Sequence, residues 1–269
     1  MKKDLQIPAQ FYEQSTLSPG VKDSFFFERY IDQDKILADI LAPFNGRRHV
    51  VDFGCNVGGW AWQLSDMCDT VTALDISNDV LKLGTIFIEH NGISNIDFKI
   101  NDSKTLESLP SADGIVCLIT LQLMKAAEIH RFFDFARQKL NTGGLLLCNS
   151  VGPRFAFEWL VTMKTVRNKG WHSQILWAIR LFRVMLMKKI APSPFLLTHL
   201  PTRVSNFLSC YYCLRSQSVI RLANDNGFKV VRSPKLYKDA PEIRDFELST
   251  YGKTMLRHFD WYLFERVKE

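Results

Sequence analysis

Short apolar runs alternate with amphipathic stretches from residue 49 onward. His49 to Phe53 is apolar at Val50, Val51 and Phe53 and reads as a buried strand that turns sharply at Gly54. Trp60 to Met67 reads as a helix, and Val71 to Leu74 as a second strand that ends at Asp75. Ser77-Asn78-Asp79 supplies capping residues for a helix to about His90, which Asn91-Gly92 ends. Asn95 to Ile100 predicts a third strand and Ser111 to Thr120 a fourth, whose opening is acidic and whose body is apolar. A helix from about Lys125 to Leu140, closed by Asn141-Thr142-Gly143-Gly144, leads to a fifth strand over Leu145 to Asn149. This alternation predicts a parallel sheet with helices on both faces. The near-continuous apolar strands agree, because such a sheet is covered on both sides.

The pattern breaks after residue 150 and resumes at Ser218. Ser218 to Asn226 reads as a helix ended by Gly227, Phe228 to Val231 as a sixth strand and Trp261 to Arg266 as a seventh. Residues 1–35 form an aromatic arm with Phe11, Tyr12, Phe25, Phe26, Phe27 and Tyr30, interrupted by Ser18-Pro19-Gly20. A helix fits Ser24 to Leu41, ended by Pro43 and Asn45-Gly46. The expected organisation is an arm over 1–35, a core over 36–150 and 218–269, and an insertion over 151–217.

The candidate chemistry sits in the turn Asp52-Phe53-Gly54-Cys55-Asn56-Val57-Gly58-Gly59. Gly54 and Gly58 lack a Cβ and let a ligand approach the backbone. Asn56 occupies a place where Gly is expected, and Asn is the next best residue at a left-handed position. Two cofactor families use such a turn. The dinucleotide spacing G-x-G-x-x-G is met by Gly54 and Gly59 with Asn56 in the middle. The spacing (D/E)-x-G-x-G-x-G is met by Asp52, Gly54 and Gly58, again with Asn56 as the departure. An acid at the end of the second strand, Asp75, can accept hydrogen bonds from ribose hydroxyls in either family.

Over roughly 36–150 and 218–269 the chain resembles the class I S-adenosylmethionine (SAM) methyltransferases of small-molecule type. The resemblance rests on the turn, on Asp75, on Asp102 just past the third strand, and on the helix, Asn226-Gly227-Phe228 and strand pair at the tail. It implies an α/β, Rossmann-like, doubly wound seven-stranded sheet whose last strand is antiparallel, with a helical lid inserted after the fifth strand. It implies SAM as cofactor, held by Asp52, Gly54, Cys55, Asn56, Gly58, Asp75, Ile76, Asp102, Ser103 and Thr120. In this resemblance Asp102 bonds the adenine amino group. The rivals are an NAD(P)-dependent oxidoreductase, which predicts Gly at 56, and a SAM-binding protein without catalysis.

Charge changes the picture in one place. The formal net charge is +6 over 269 residues. Residues 151–217 contain ten Lys or Arg and one acid, Glu158, for a net of +9, so the remainder sums to −3. The run Ile175 to Ile190 reads as a helix with Arg180 and Arg183 on one face. Three readings fit: a lid packed by its apolar face, a lid that grips an anionic or lipid-linked acceptor, or a peripheral membrane contact through 173–190. The segment is more apolar than a nucleic-acid groove and no RNA-binding module accompanies it, so no nucleic acid is expected. The N-terminal residues have no apolar h-region and no long apolar run exists, which predicts a cytoplasmic or membrane-associated protein. Six scattered cysteines suit buried free thiols in a reducing compartment. Cys210-x-x-Cys213 has no second pair and the histidines no metal-site spacing, so no metal is expected.

Methyl transfer needs an acceptor aligned with the methyl and shielded from water. An alcohol acceptor also needs a base. The acceptor should enter over the ends of the fourth and fifth strands, near Thr120, Gln122, Asn149 and Ser150, none a strong base. The fourth strand ends in Ile119-Thr120-Leu121-Gln122 and lacks the (D/N/S)-P-P-(Y/F) sequence of relatives that methylate nucleobases or glutamine. The arm and insertion offer the candidate catalytic residues His199 and Tyr30.

Overall fold

A computed structural model describes residues 40–124, 126–151, 216–232 and 259–268. The apolar runs pair as seven strands of one sheet: β1 (His49–Phe53), β2 (Thr70–Asp75), β3 (Ile96–Ile100), β4 (Ala112–Cys117), β5 (Leu140–Val151), β6 (Phe228–Arg232) and β7 (Phe259–Arg266). Their order is β3-β2-β1-β4-β5-β7-β6. The first five strands are mutually parallel, and β7 runs antiparallel to both β5 and β6. Five helices of at least six residues accompany them among the described residues: α1 (Gly59–Ser65), α2 (Asn78–His90), α3 (Ser103–Ser108), α4 (Ala126–Lys139) and α5 (Ser216–Asp225).

Side-chain alternation along each strand divides the core in two. Val50, Ala73, Val116, Leu147 and Trp261 point to one face, where Trp60 and Leu64 of α1 and Leu81 and Phe87 of α2 cover them. Val51, Leu74, Ile115, Leu146 and Tyr262 point to the other, under Phe132, Phe133 and Ala136 of α4 and Val219 and Leu222 of α5. Both faces are covered, which is why the bodies of the central strands are mostly apolar on both sides. Asp52 and Asp75 keep step with Val50 and Ala73, and Asn149 with Leu147. The acids and the asparagine therefore share the face of α1 and α2, at the C-terminal edge of the parallel strands.

Several boundaries differ from expectation. The fourth strand stops at Cys117, three residues short of Thr120, because Ile119 turns into the left-handed region with φ 59°. The fifth starts at Leu140 instead of Leu145. Asn141-Thr142-Gly143-Gly144 does not end the preceding helix in a free loop. It forms an irregularity within the strand, where Ala112 pairs with Leu140 and Gly114 already with Leu145. Asn141 Nδ2 donates to Asp113 Oδ1 at 2.8 Å there, which explains the acid at the start of β4. Ser77 precedes α2 but its hydroxyl caps nothing. Helix α3 was not expected. Cys55, Cys68, Cys117 and Cys148 are free and buried, as the sequence suggested. The arm, residues 152–215 of the insertion with the helix expected at 175–190, and Cys210 and Cys213 lie outside the described residues, while Val151 belongs to β5 and α5 begins at Ser216. No helix among the described residues is long and apolar enough to cross a membrane.

Candidate cofactor site

The turn after β1 is built by backbone geometry at three positions. Gly54, Asn56 and Gly58 all have positive φ, at 78°, 53° and 87°. The N–H groups of Gly54 and Cys55 both donate to Leu74 O, at 2.8 and 2.9 Å, which folds the turn toward the end of β2. Asp75 completes the attachment. Its Oδ2 accepts from Asn56 N at 2.9 Å and its Oδ1 from Ser77 N at 2.9 Å. A carboxylate has about four lone-pair sites, so both oxygens keep capacity for ribose hydroxyls. The structure thus adds a role that spacing did not show, since Asp75 organises the turn as well as facing it.

The glycines answer to protein packing too. A Cβ on Gly54 would lie 2.4 Å from Thr120 Cγ2, and one on Gly58 would lie 2.5 Å from Phe98 Cζ. Thr120 itself is held by its Oγ1, which donates to Leu118 O at 2.9 Å and approaches Gly54 O at 3.4 Å. The end of β4 is therefore pressed against the turn.

Asp52 is the least comfortable residue of the site. It is 1% exposed, and neither carboxyl oxygen has a hydrogen-bond partner at normal geometry. Burial pushes its pKa up from 3.8 to about 8; the backbone N–H of Ala61 opposes the rise and the charge of Asp75 adds to it. A buried carboxyl without partners is costly in a protein that binds nothing there. Burial also pushes the Cys55 thiol well up, so it is no nucleophile.

Ile76 is 80% exposed at the end of β2, directly after Asp75. An apolar side chain held in water at the mouth of a site is a surface for a flat apolar ligand group. Asp102 and Ser103 lie past β3 at the start of α3. Asp102 is the N-cap, its Oδ1 accepting from Thr105 N at 2.7 Å. That bond from Thr105 holds its carboxyl below the usual carboxylate range. Asp102 is solvent-exposed and therefore accessible to a ligand, but it has structural work of its own. His199 and Tyr30 lie outside the described residues. No metal-ligating cluster of His, Cys, Asp and Glu occurs among the described residues.

These residues fit SAM. Two acids, one of them buried, suit a molecule with an ammonium and a sulfonium, because a cation beside a buried carboxyl favours its ionised form. Residues 50–144 match the model of a methyltransferase domain. No match to a curated protein was found. Among solved structures, magnesium protoporphyrin IX methyltransferase (ChlM) from Synechocystis PCC 6803 with bound S-adenosylhomocysteine (SAH) is similar at 16% identity, TM-score 0.51, over 96% of this chain and 95% of its own. PKMT2 from Rickettsia typhi is similar at 13% identity, TM-score 0.53, over 86% of this chain and 52% of its own. TehB from Haemophilus influenzae matches at 18% identity with a TM-score of 0.39, over 43% of this chain and 40% of its own. At these identities the likeness concerns the fold. The domain match, the sheet order with its antiparallel β7, and the acidic glycine turn together place residues 50–144 in a class I SAM-dependent methyltransferase domain, with SAM as its cofactor.

Proposed function

We propose that the protein transfers a methyl group from SAM to a small-molecule acceptor, of sugar, lipid-linked or natural-product type. The observation that carries the cofactor half of this reading is the buried, unpartnered Asp52 carboxyl on the same sheet face as Asp75. When bound, SAM supplies an electrophilic methyl on a positively charged sulfur. Asp52 would answer its cationic end, Asp75 the ribose, and Ile76 the face of the adenine, with Asp102 and Ser103 at the adenine edge. Thr120 closes the wall between turn and acceptor.

The acceptor half rests on the sequence after β4, which lacks the nucleobase and glutamine signature, and on the basic insertion, which suits anionic or lipid-linked acceptors. Thr120 and Asn149 lie toward the acceptor side, Ser150 points to the opposite face of the sheet, and none is a base. The Ser150 hydroxyl is already paired with Tyr262 OH at 3.0 Å, and burial pushes that phenol up. A base, if the acceptor needs one, comes from His199 or Tyr30. Calorimetry with SAH, with NADH as parallel titrant, tests the cofactor; NADH binding alone overturns it. Methyl transfer from radiolabelled SAM to sugar and lipid-linked acceptors tests the rest. SAH binding with transfer only to protein substrates refutes the small-molecule assignment.

A further inference from the structure

Two side-chain nitrogens carried by the strands on the cofactor side of the sheet stand without partners. Asn149 is fully buried, and its Nδ2 meets no hydrogen-bond partner. Trp261 is also buried, and its Nε1 meets none either. The Asn149 amide cannot exchange its ends, because Ile119 N donates to Oδ1 at 2.7 Å and fixes the oxygen there. Asn149 and Trp261 are direct partners across β5 and β7. Side chains of such a pair share a face, with Cβ atoms about 4.5–5.5 Å apart. Two side chains with a free N–H donor thus rise from paired positions at the sheet edge where open α/β sheets take ligands.

Ile119 supplies a second, independent observation. A β-branched residue with φ 59° is strained, and such residues gather at functional sites. The Asn149 carbonyl holds Ile119 in that state, and the turn then brings Thr120 against Gly54. Asn149 therefore links the unpartnered donors to the cofactor turn through three residues.

The chemistry of the ligand follows from the donors. A carbonyl oxygen has two lone pairs and accepts from two N–H groups at once. Both donors are neutral, and Asp52 and Asp75 lie on the same sheet face, so a carboxylate is disfavoured there. We propose that Asn149 Nδ2 and Trp261 Nε1 together hold a neutral carbonyl oxygen of the methyl acceptor, that of an amide, ketone or ester. This rests on the methyltransferase reading and adds an acceptor class to it. Both nitrogens are covered in this structure.

The test uses the full chain, labelled with 15N-tryptophan and saturated with SAH. Acetamide is the probe, because it is small enough to reach a covered site, and acetate is the charged control. The indole N–H resonance that disappears in Trp261→Phe should move downfield, saturably, with acetamide and not with acetate. Saturation transfer to the acetamide methyl protons should fall at least fivefold in Trp261→Phe, which keeps an aromatic ring but loses the donor. It should fall likewise in Asn149→Asp, which keeps an oxygen for Ile119 N and loses the donor. An absent or non-saturable response, an equal response to acetate, or undiminished transfer in Trp261→Phe overturns the proposal. So does a crystal structure in which one water bridges both nitrogens and survives acetamide. A sample that fails to bind SAH by calorimetry overturns the underlying reading; one that binds SAH and ignores acetamide overturns this inference alone.

Discussion

Replacing Asp52 by Asn should make the protein more stable and worse at binding its cofactor. The folded chain holds the Asp52 proton up to pH about 8, while the ordinary carboxyl value is 3.8. Between those limits the folded state binds more protons than the unfolded one, so stability falls as pH rises. Each pH unit in that window removes about 1.4 kcal/mol. At pH 7 the accumulated penalty is about 4 kcal/mol, an upper bound because relaxation around a buried carboxylate reduces it. Asn has nearly the same shape and does not titrate. Asp52→Asn should therefore melt close to the wild type at pH 4 to 4.5 and well above it at pH 7. At about 2 °C per kcal/mol for a chain of this size, the gap reaches roughly 8 °C. SAH affinity should fall at least tenfold in the same variant, because the ligand's ammonium draws the Asp52 carboxyl into its ionised form and Asn cannot ionise. Differential scanning fluorimetry from pH 4.5 to 8.5, with calorimetry at pH 7.5, decides it. A melting-temperature gap that does not grow with pH, or a variant that melts below the wild type at pH 7, refutes the reasoning.

Further expectations follow from the same geometry. Asp75→Ala should weaken SAH binding more than tenfold and also lower stability by about 1–3 kcal/mol, because the Asn56 and Ser77 amides lose their acceptor; an unchanged melting curve would show that the turn does not depend on it. Gly54→Ala should lose cofactor binding through its clash with Thr120, and Thr120→Gly in the same chain should recover part of it in a calorimetric titration. Asp102→Ala should reduce both SAH affinity and melting temperature, whereas Asp102→Ser, which can still cap α3, should restore the melting temperature alone. If Ser restores affinity as well, the carboxylate has no adenine contact. Ile76→Asp should weaken SAH binding at least fivefold with no loss of stability, since the side chain is already in water.

The sheet was readable because its strands are short apolar runs separated by glycine and asparagine stops, and β1 matches its expected bounds of His49 and Phe53. The cofactor turn was readable for the same reason: Asn56 in the left-handed region follows from the residue type alone. What the sequence hid depends on contacts between distant segments. Nothing local to Ile119 predicts a left-handed turn there, because the bond that holds it comes from Asn149, thirty positions away. Helix α3 escaped because its residues are exposed or half-buried and carry no apolar stripe. The missing partners of Asp52, Asn149 and Trp261 are three-dimensional facts, and spacing alone cannot report an absent hydrogen bond.

The place of β7 governs how this chain must be made. In the sheet it separates β5 from β6, yet it follows both in sequence. A ribosome delivers β1 to β5 in an order that lets each meet a neighbour. The outer edge of β5, from Leu145 to Val151, then waits unpaired until Phe259–Arg266 emerges. At roughly 5–20 residues per second, the intervening hundred or so residues take about 5–20 s to appear. For that interval the nascent protein carries an open apolar edge of the kind that invites wrong pairing. When β6 emerges its partner β7 has not yet been made, and β7 must still enter between β5 and β6. Any delay in translation across 152–258 lengthens that exposure, so yield in cells should respond to codon speed there far more than to codon speed over 40–120.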